Sequence, residues 1–125
     1  MQDAPDPAEI LAAVAAFLRD TVMPQATPLV AFQARVAANA VDLVARQIAL
    51  APAAEAAETM RLRALLGADG TLAELNAALA QGIASGAVGP SPALADHLWA
   101  TTLAKLAVDQ PRYSGNLAAL AEKDA

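Results

Sequence analysis

Apolar residues recur every three to four positions along most of the chain, a spacing typical of amphipathic helices. No segment alternates apolar and polar residues as a half-buried strand would. The pattern is strongest in residues 29–50, where apolar positions cover about half of the helical circumference. A helix that packs on one side only needs a stripe of about 100°. We therefore predict a central helix in the middle of a bundle. Gln33 and Gln47 fall inside its apolar arc, so they either lie along apolar surface or take part in an interface.

Start and stop signals delimit the helices on either side of this stretch. Asp6 and Glu9 form a predicted capping box around Pro7, and Pro24 ends the first helix. Thr27 is the predicted cap of the central helix, which the following proline opens. Because a proline inside a helix removes a hydrogen bond and clashes with the preceding turn, Pro52 is expected to break or sharply kink the chain.

Four further helices are predicted after Pro52, at residues 53–66, 72–85, 93–110 and 117–122. Thr71 with Glu74 is a second capping box, Gly86 is a stop, and Asn116 is the expected cap of the short last helix. The inward face of the helix at residues 93–110 is predicted to consist of Leu94, Ala95, Leu98, Trp99, Leu103 and Leu106.

These elements define an all-α fold class. We predict that residues 1–125 form a single-domain helical bundle of about five main helices with a short C-terminal helix. Apolar residues make up 57% of the chain but aromatic residues only 3%, so alanine and leucine dominate the expected core. The few large rings are expected to anchor helix junctions. They are Phe17, Phe32, Trp99 and Tyr113.

Charge and residue usage exclude several function classes. The formal net charge is -5, whereas nucleic acids and anionic membrane surfaces attract clusters of Lys and Arg. No apolar run is long enough to span a bilayer, and no basic segment followed by an apolar run marks a secretory signal. A cytoplasmic protein is the expected class. With no cysteine and one histidine, no metal site or other cofactor site is predicted.

A group of polar residues on the helix at 93–110 is the first candidate site. Thr102, Lys105 and Asp109 share one side of that helix. One interpretation is a solvent-exposed Lys105–Asp109 pair, worth a few tenths of a kcal/mol. The alternative is a polar seam facing Arg35 and Asn39 of the central helix, which either binds a carboxylate or phosphate or fixes the register of the helices.

Residues 109–115 form the second candidate. This segment follows a helix and combines an acid, a base, a phenol and a hydroxyl. Arg112 can clamp a carboxylate with two hydrogen bonds. The alternative is a helix-ending turn in which Tyr113 packs back and Arg112 binds the last carbonyl groups.

His97 is the third candidate, because it is the only histidine. No nucleophile elbow accompanies it, and no Glu-x-x-His motif marks a di-iron site. A histidine at the surface or at the edge of the core is therefore the expectation, and catalysis by His97 is not favoured.

Taken together, these segments resemble an uncharacterised bacterial family, domain of unknown function 6285. The resemblance covers Gln2-Asp3, residues 7–20, residues 31–47, residues 63–76 and residues 99–115, and the last of these, WATTLAKLAVDQPRYSG, is the most distinctive. It implies a small helical protein of unassigned activity, encoded beside acyl-CoA dehydrogenases and aminoglycoside-phosphotransferase-like kinases. It implies no catalytic residues.

Three functional hypotheses follow. The first is a non-enzymatic accessory module that binds a partner protein, an acyl-CoA dehydrogenase or a kinase-like protein, with homo-oligomers also expected from flat, alanine-rich helices. The second is a binding site for a small anion such as an acyl-CoA or a phosphorylated metabolite. The third and weakest is a hydrolase or transferase. The residues of the candidate ligand site are Arg35, Asn39, Lys105, Asp109, Arg112 and Tyr113.

Overall fold

The fold is all-α, as predicted. A computed structural model describes residues 3–125, and Gln2, the first residue of the predicted polar lead, lies outside the described residues. Helices and short connections account for the described chain, and no strand occurs between residues 3 and 125. The helices are α1 (Pro7–Ala16), which continues as a π-helical segment (Phe17–Val22), α2 (Met23–Gln25), α3 (Pro28–Leu66), α4 (Leu72–Ser85), α5 (Pro92–Asp109) and α6 (Ser114–Asp124).

Both predicted capping boxes are confirmed. Asp6 accepts a hydrogen bond from the backbone N–H of Glu9 at 2.9 Å, and Glu9 accepts one from the backbone N–H of Asp6 at 2.8 Å. Thr71 and Glu74 exchange the same two bonds at the start of α4. The backbone N–H of Thr71 lowers the pKa of the Glu74 carboxyl, because it stabilises the charged form. Gly86 ends α4 with a φ of 80°, a left-handed conformation that favours glycine.

The chain divides into two compact units, Met1–Leu50 and Ala51–Ala125. In the first unit, the buried residues among 3–50 are three alanines, Ala15, Ala34 and Ala38. Such small side chains let helix backbones approach closely but bury little apolar area per residue. That residues 1–125 form a single domain stays a prediction.

Leucines form the core of the second unit. Leu62 of α3, Leu75 and Leu79 of α4 and Leu94 of α5 are buried together. The partly buried side chains packed against them are Leu66, Leu72 and Val88. Val88 also donates a backbone hydrogen bond to the carbonyl of Gly82 at 2.9 Å, so the loop after α4 folds back onto that helix.

The prediction that residues 29–50 lie in the middle of the fold is wrong. Most of this stretch is exposed, and Leu29 at its start is 66% exposed. At 100° per residue, the buried positions Ala34 and Ala38 lie more than about 100° around the helix from Ala40, the middle of the exposed apolar arc. Residues 29–50 therefore bury a face of small side chains, and most of their larger apolar residues are exposed.

The predicted break of the helix at Pro52 is wrong, whereas the alternative of a kink there stays a prediction. Helix α3 runs from Pro28 to Leu66 with Pro52 inside it. A proline in a helix interior costs about 3 kcal/mol relative to alanine, chiefly through one lost hydrogen bond and a clash with the preceding turn. Alanine occupies positions 49, 51, 53, 54, 56 and 57 around it, and alanine has the highest helix propensity, which offsets the cost.

The predicted inward face of α5 is only partly correct. Leu94 is buried as predicted, but Leu98 and Trp99 are exposed and His97 is buried instead. The buried face is rotated by about one residue because a hydrogen-bonded imidazole can be buried at little cost. The expectation that aromatic rings anchor junctions is likewise wrong. Each of the four Phe, Trp and Tyr residues is more than half exposed. They are Phe17, Phe32, Trp99 and Tyr113.

The start of the last helix differs from the prediction. Helix α6 begins at Ser114, so Asn116 lies inside its first turn and is not the cap. Asn116 is buried, and its side-chain amide donates a hydrogen bond to the carbonyl of Pro111 at 3.0 Å. The amide thus binds the turn before the helix instead of the helix start, because that carbonyl would otherwise lack a donor.

Candidate functional site

The most buried polar group of the second unit is His97. On α3, Arg61 donates from Nε to Nδ1 of His97 at 3.4 Å and from Nη2 to Oγ1 of Thr101 at 3.2 Å. His97 and Thr101 are four residues apart and therefore share one face of α5. A single guanidinium from α3 thus binds two successive turns of α5.

Burial lowers the pKa of His97, and the nearby positive charge of Arg61 lowers it further, while Glu58 opposes the shift. The imidazole is therefore neutral near pH 7, with Nδ1 as acceptor and the hydrogen on Nε2. Every buried side-chain nitrogen and oxygen of the described residues has a hydrogen-bond partner. This arrangement stabilises the packing of α3 against α5.

The first unit has its own polar cluster, centred on Arg19. The π-helical segment carries Arg19, and its Nη2 donates to Asp42 at 2.6 Å and to the Oδ1 of Asn39 at 2.9 Å. The hydrogen bond to Asp42 raises the pKa of the guanidinium. A π-helical turn widens the helix and redirects its side chains, so this segment sets the direction of Arg19 toward α3.

Two of the six predicted site residues lie in the first unit, on α3. Asn39 already accepts the hydrogen bond from Arg19. Arg35 is exposed, and its guanidinium carbon lies 5.5 Å from the centre of the Phe32 ring, a cation–π distance. Both residues are therefore held within the first unit, and their participation in a seam with α5 stays a prediction.

The other four predicted residues lie in the second unit, and all are exposed. Lys105 and Asp109 do not form the ion pair that their spacing allows; the ion pairs within residues 3–125 are elsewhere. Lysine placed four residues before an acid is the weaker orientation of such a pair. The Tyr113 ring lies over Gly115, where an added Cβ would be 2.8 Å from Cε1 of the ring. Tyr113 thus packs back on the chain, while a ligand role for Arg112 stays a prediction.

The sequence interpretation missed Arg19 and Arg61 as organisers of the two polar clusters. The sequence position of Arg61 could have indicated its role. It precedes the buried Leu62 by one residue and so borders the core. Arg19 had no comparable signal. Its direction depends on the π-helical turn, and the sequence carries no proline or glycine within that turn to mark it.

Exposed apolar side chains are the more conspicuous surface feature of both units. On α5, Ala95, Leu98, Trp99 and Thr102 share one exposed face, here called the Trp99 surface. Trp99 is 59% exposed. It follows His97 by two residues, so it points to the side of α5 opposite the contact with Arg61. An exposed tryptophan next to a leucine is typical of a protein-binding surface.

A second exposed apolar face lies on α3 in the first unit. It is here called the α3 face, and it consists of Phe32, Gln33, Val36, Ala40, Val44, Gln47 and Ile48. This face is part of the apolar arc identified from the sequence and includes its two glutamines. Continuous apolar surface of this kind marks sites of interaction when it is rimmed by polar residues.

The part of the chain that the structure describes shows neither a metal cluster nor a transmembrane helix. No three His, Asp or Glu side chains among residues 3–125 lie together as metal ligands would. None of the described helices combines the length and the apolar character needed to cross a bilayer.

These features define an all-helical protein with two exposed apolar surfaces and two structural polar clusters. The chain belongs to the family described as Domain of unknown function (DUF6285), whose sequence model matches residues 24–113. The family resemblance identified from the sequence is thereby confirmed. No curated protein and no solved structure matches the chain.

Proposed function

We propose that this protein is a non-enzymatic helical accessory module that binds another protein. The Trp99 surface carries the proposal. Tryptophan contributes more binding energy at interfaces than most residue types, and a well-folded helix holds it in place before the partner arrives. The single histidine, His97, is bound by Arg61 in the packing of α3 against α5.

The proposed partner is an acyl-CoA dehydrogenase or an aminoglycoside-phosphotransferase-like kinase of the same bacterial pathway, in the cytoplasm. The family resemblance supports this choice of partner. The net charge of -5 supports a protein partner over a nucleic acid or an anionic membrane.

The test measures association of the full chain with each purified candidate by size-exclusion chromatography with light scattering. We expect a complex with one of them, and we expect Trp99→Ala to weaken it by roughly 30-fold or more, as truncation of a central tryptophan does. Met60→Ala is the matched control, because Met60 is 71% exposed and lies on α3. A native chain that forms no complex with either candidate protein, or a complex that Trp99→Ala leaves unchanged, would contradict the proposal.

A further inference from the structure

The α3 face is nearly symmetric about its middle residue. Its members form matched pairs at equal distances before and after Ala40: Phe32 with Ile48, Gln33 with Gln47, and Val36 with Val44. All seven residues are exposed. Each pair joins two large apolar side chains or two glutamines, so the order of residue types reads the same in both chain directions.

Helix geometry turns this symmetry of sequence into symmetry of surface. At 100° per residue, Gln33 and Gln47 lie about 20° to either side of Ala40, and Val36 and Val44 about 40° to either side. Positions at equal distances along the axis thus lie at equal and opposite angles around it. Such a face is complementary to an antiparallel copy of itself, which is the requirement for a two-fold symmetric interface.

The glutamines gain partners in this arrangement. A glutamine amide has both donors and an acceptor, and burial requires that these groups be bound. An antiparallel copy centred on Ala40 places Gln33 beside Gln47 of the partner subunit, and the two amides can bind each other. Ala40 at the centre has the small side chain that close approach of two helices needs. The same register places Val36 beside Val44 of the partner subunit.

In the first unit, no large apolar side chain among residues 3–50 is fully buried. Its buried residues among 3–50 are alanines, while Val36, Val44 and Ile48 are each about half exposed. The α3 face, from Phe32 to Ile48, extends for about 24 Å. Packing against a second copy would remove its exposed apolar side chains from water.

We propose that the chain forms a two-fold symmetric, antiparallel homodimer through the α3 face, with the two-fold axis passing beside Ala40. The dimer surface lies in the first unit, whereas the Trp99 surface lies in the second. The inference therefore goes beyond the proposed function, and either can fail without the other.

Disulfide cross-linking tests the register, and the absence of cysteine from the chain leaves no competing thiol. We expect Ala40→Cys to form a symmetric disulfide-linked dimer under mild oxidation. Val36→Cys alone and Val44→Cys alone should not cross-link, because each lies about 12 Å along the axis from its own copy. A mixture of the two variants should give the mixed dimer. If Val36→Cys alone cross-links to the same extent as the mixture of the two variants, the antiparallel register is overturned.

Light scattering tests the dimer itself. The native chain should have twice the monomer mass at micromolar concentrations, and Ala40→Glu should have the monomer mass with an unchanged helical circular dichroism spectrum. Met60→Glu is the control and should stay dimeric. Trp99→Ala should also stay dimeric, which separates this inference from the proposed function. A native chain that stays monomeric at 100-fold higher concentration, or an Ala40→Glu variant that is folded and still dimeric, would overturn the proposal.

Discussion

Arg61 donates a hydrogen bond from its Nε to Nδ1 of His97 at 3.4 Å, which fixes the tautomer of an imidazole that is only 2% exposed. Protonation of Nδ1 would replace this bond with two facing N–H groups and would place a second positive charge beside Arg61. The histidine thus connects the packing of α3 and α5 to pH.

Stability should therefore fall as the solution becomes more acidic. The pKa of His97 is lowered in the folded protein, so the unfolded chain binds the proton more readily. The free energy of unfolding then rises with pH across the interval between the folded and unfolded pKa values. We expect stability to be constant above about pH 7.5 and to decrease as the pH falls through the unfolded value of about 6.5. Urea unfolding, followed by circular dichroism from pH 8 to pH 5.5, measures this.

His97→Gln is the control for the pH effect. Glutamine can still accept a hydrogen bond from Arg61 but does not titrate in this interval. The variant should lose the dependence on pH above 5.5, where carboxyl groups stay ionised. An equal slope in the native chain and in the variant would assign the effect to groups other than His97.

The ion pair between Arg19 and Asp42 should contribute modestly to stability. The two side chains approach to 2.6 Å, but each is 37% exposed, so solvent screens the attraction. A double-mutant cycle with Arg19→Ala and Asp42→Ala should give a small favourable coupling free energy that decreases at high salt. The same cycle for Arg63 and Asp69, which are 51% and 83% exposed, should give a coupling near zero. Equal coupling for the two pairs would contradict this prediction.

Leu62 should be among the most costly residues to truncate. It is fully buried among Leu75, Leu79 and Leu94. Leu62→Ala should reduce the free energy of unfolding by about 2–5 kcal/mol, because it removes apolar contacts and leaves a cavity. Leu98→Ala is the matched control on the exposed face of α5 and should cost less than about 0.5 kcal/mol. Denaturant midpoints of the two variants, measured at equal protein concentration, decide the comparison.

Local signals in the sequence were sufficient for three of the helix ends. The box formed by Asp6 and Glu9, the box formed by Thr71 and Glu74, and the stop at Gly86 each depend on residues within one helical turn. Other local signals were not sufficient: Asn116 is not a cap, and the helix continues through Pro52 among alanines of high helix propensity.

The choice of the buried face could not be predicted from periodicity. Helix α3 has apolar residues on two sides, small ones at Ala34 and Ala38 and larger ones such as Val36 and Val44. The apolar pattern does not distinguish the two sides. The side with the larger residues was therefore predicted to be buried within one chain, and this was wrong. An exposed face that resembles a core is also what an interface looks like in a sequence, so the same pattern carries the dimer hypothesis.

The candidate ligand site was harder to predict, because polar contacts between helices depend on which faces meet. Arg61 reaches His97 and Arg19 reaches Asp42 only once the helices are packed. Sequence spacing grouped Lys105 with Asp109 correctly on one helix but could not show which side chains approach within bonding distance. That information depends on side-chain rotamers and on the local π-helical turn, and neither leaves a periodic pattern in the sequence.

The anionic-ligand hypothesis predicts that a bound anion raises the free energy of unfolding. It rests on exposed basic side chains at Lys105 and Arg112, which can bind a carboxylate or phosphate without first breaking an ion pair in the second unit. If a CoA ester or phosphorylated metabolite binds there, a concentration of 100 times its Kd should raise the free energy of unfolding by about 2.7 kcal/mol. Thermal-shift measurements detect such an increase. Arg112→Ala should abolish the shift, and Arg63→Ala, which removes an arginine already paired with Asp69, should retain it. The absence of a shift with any of these ligands would remove the hypothesis.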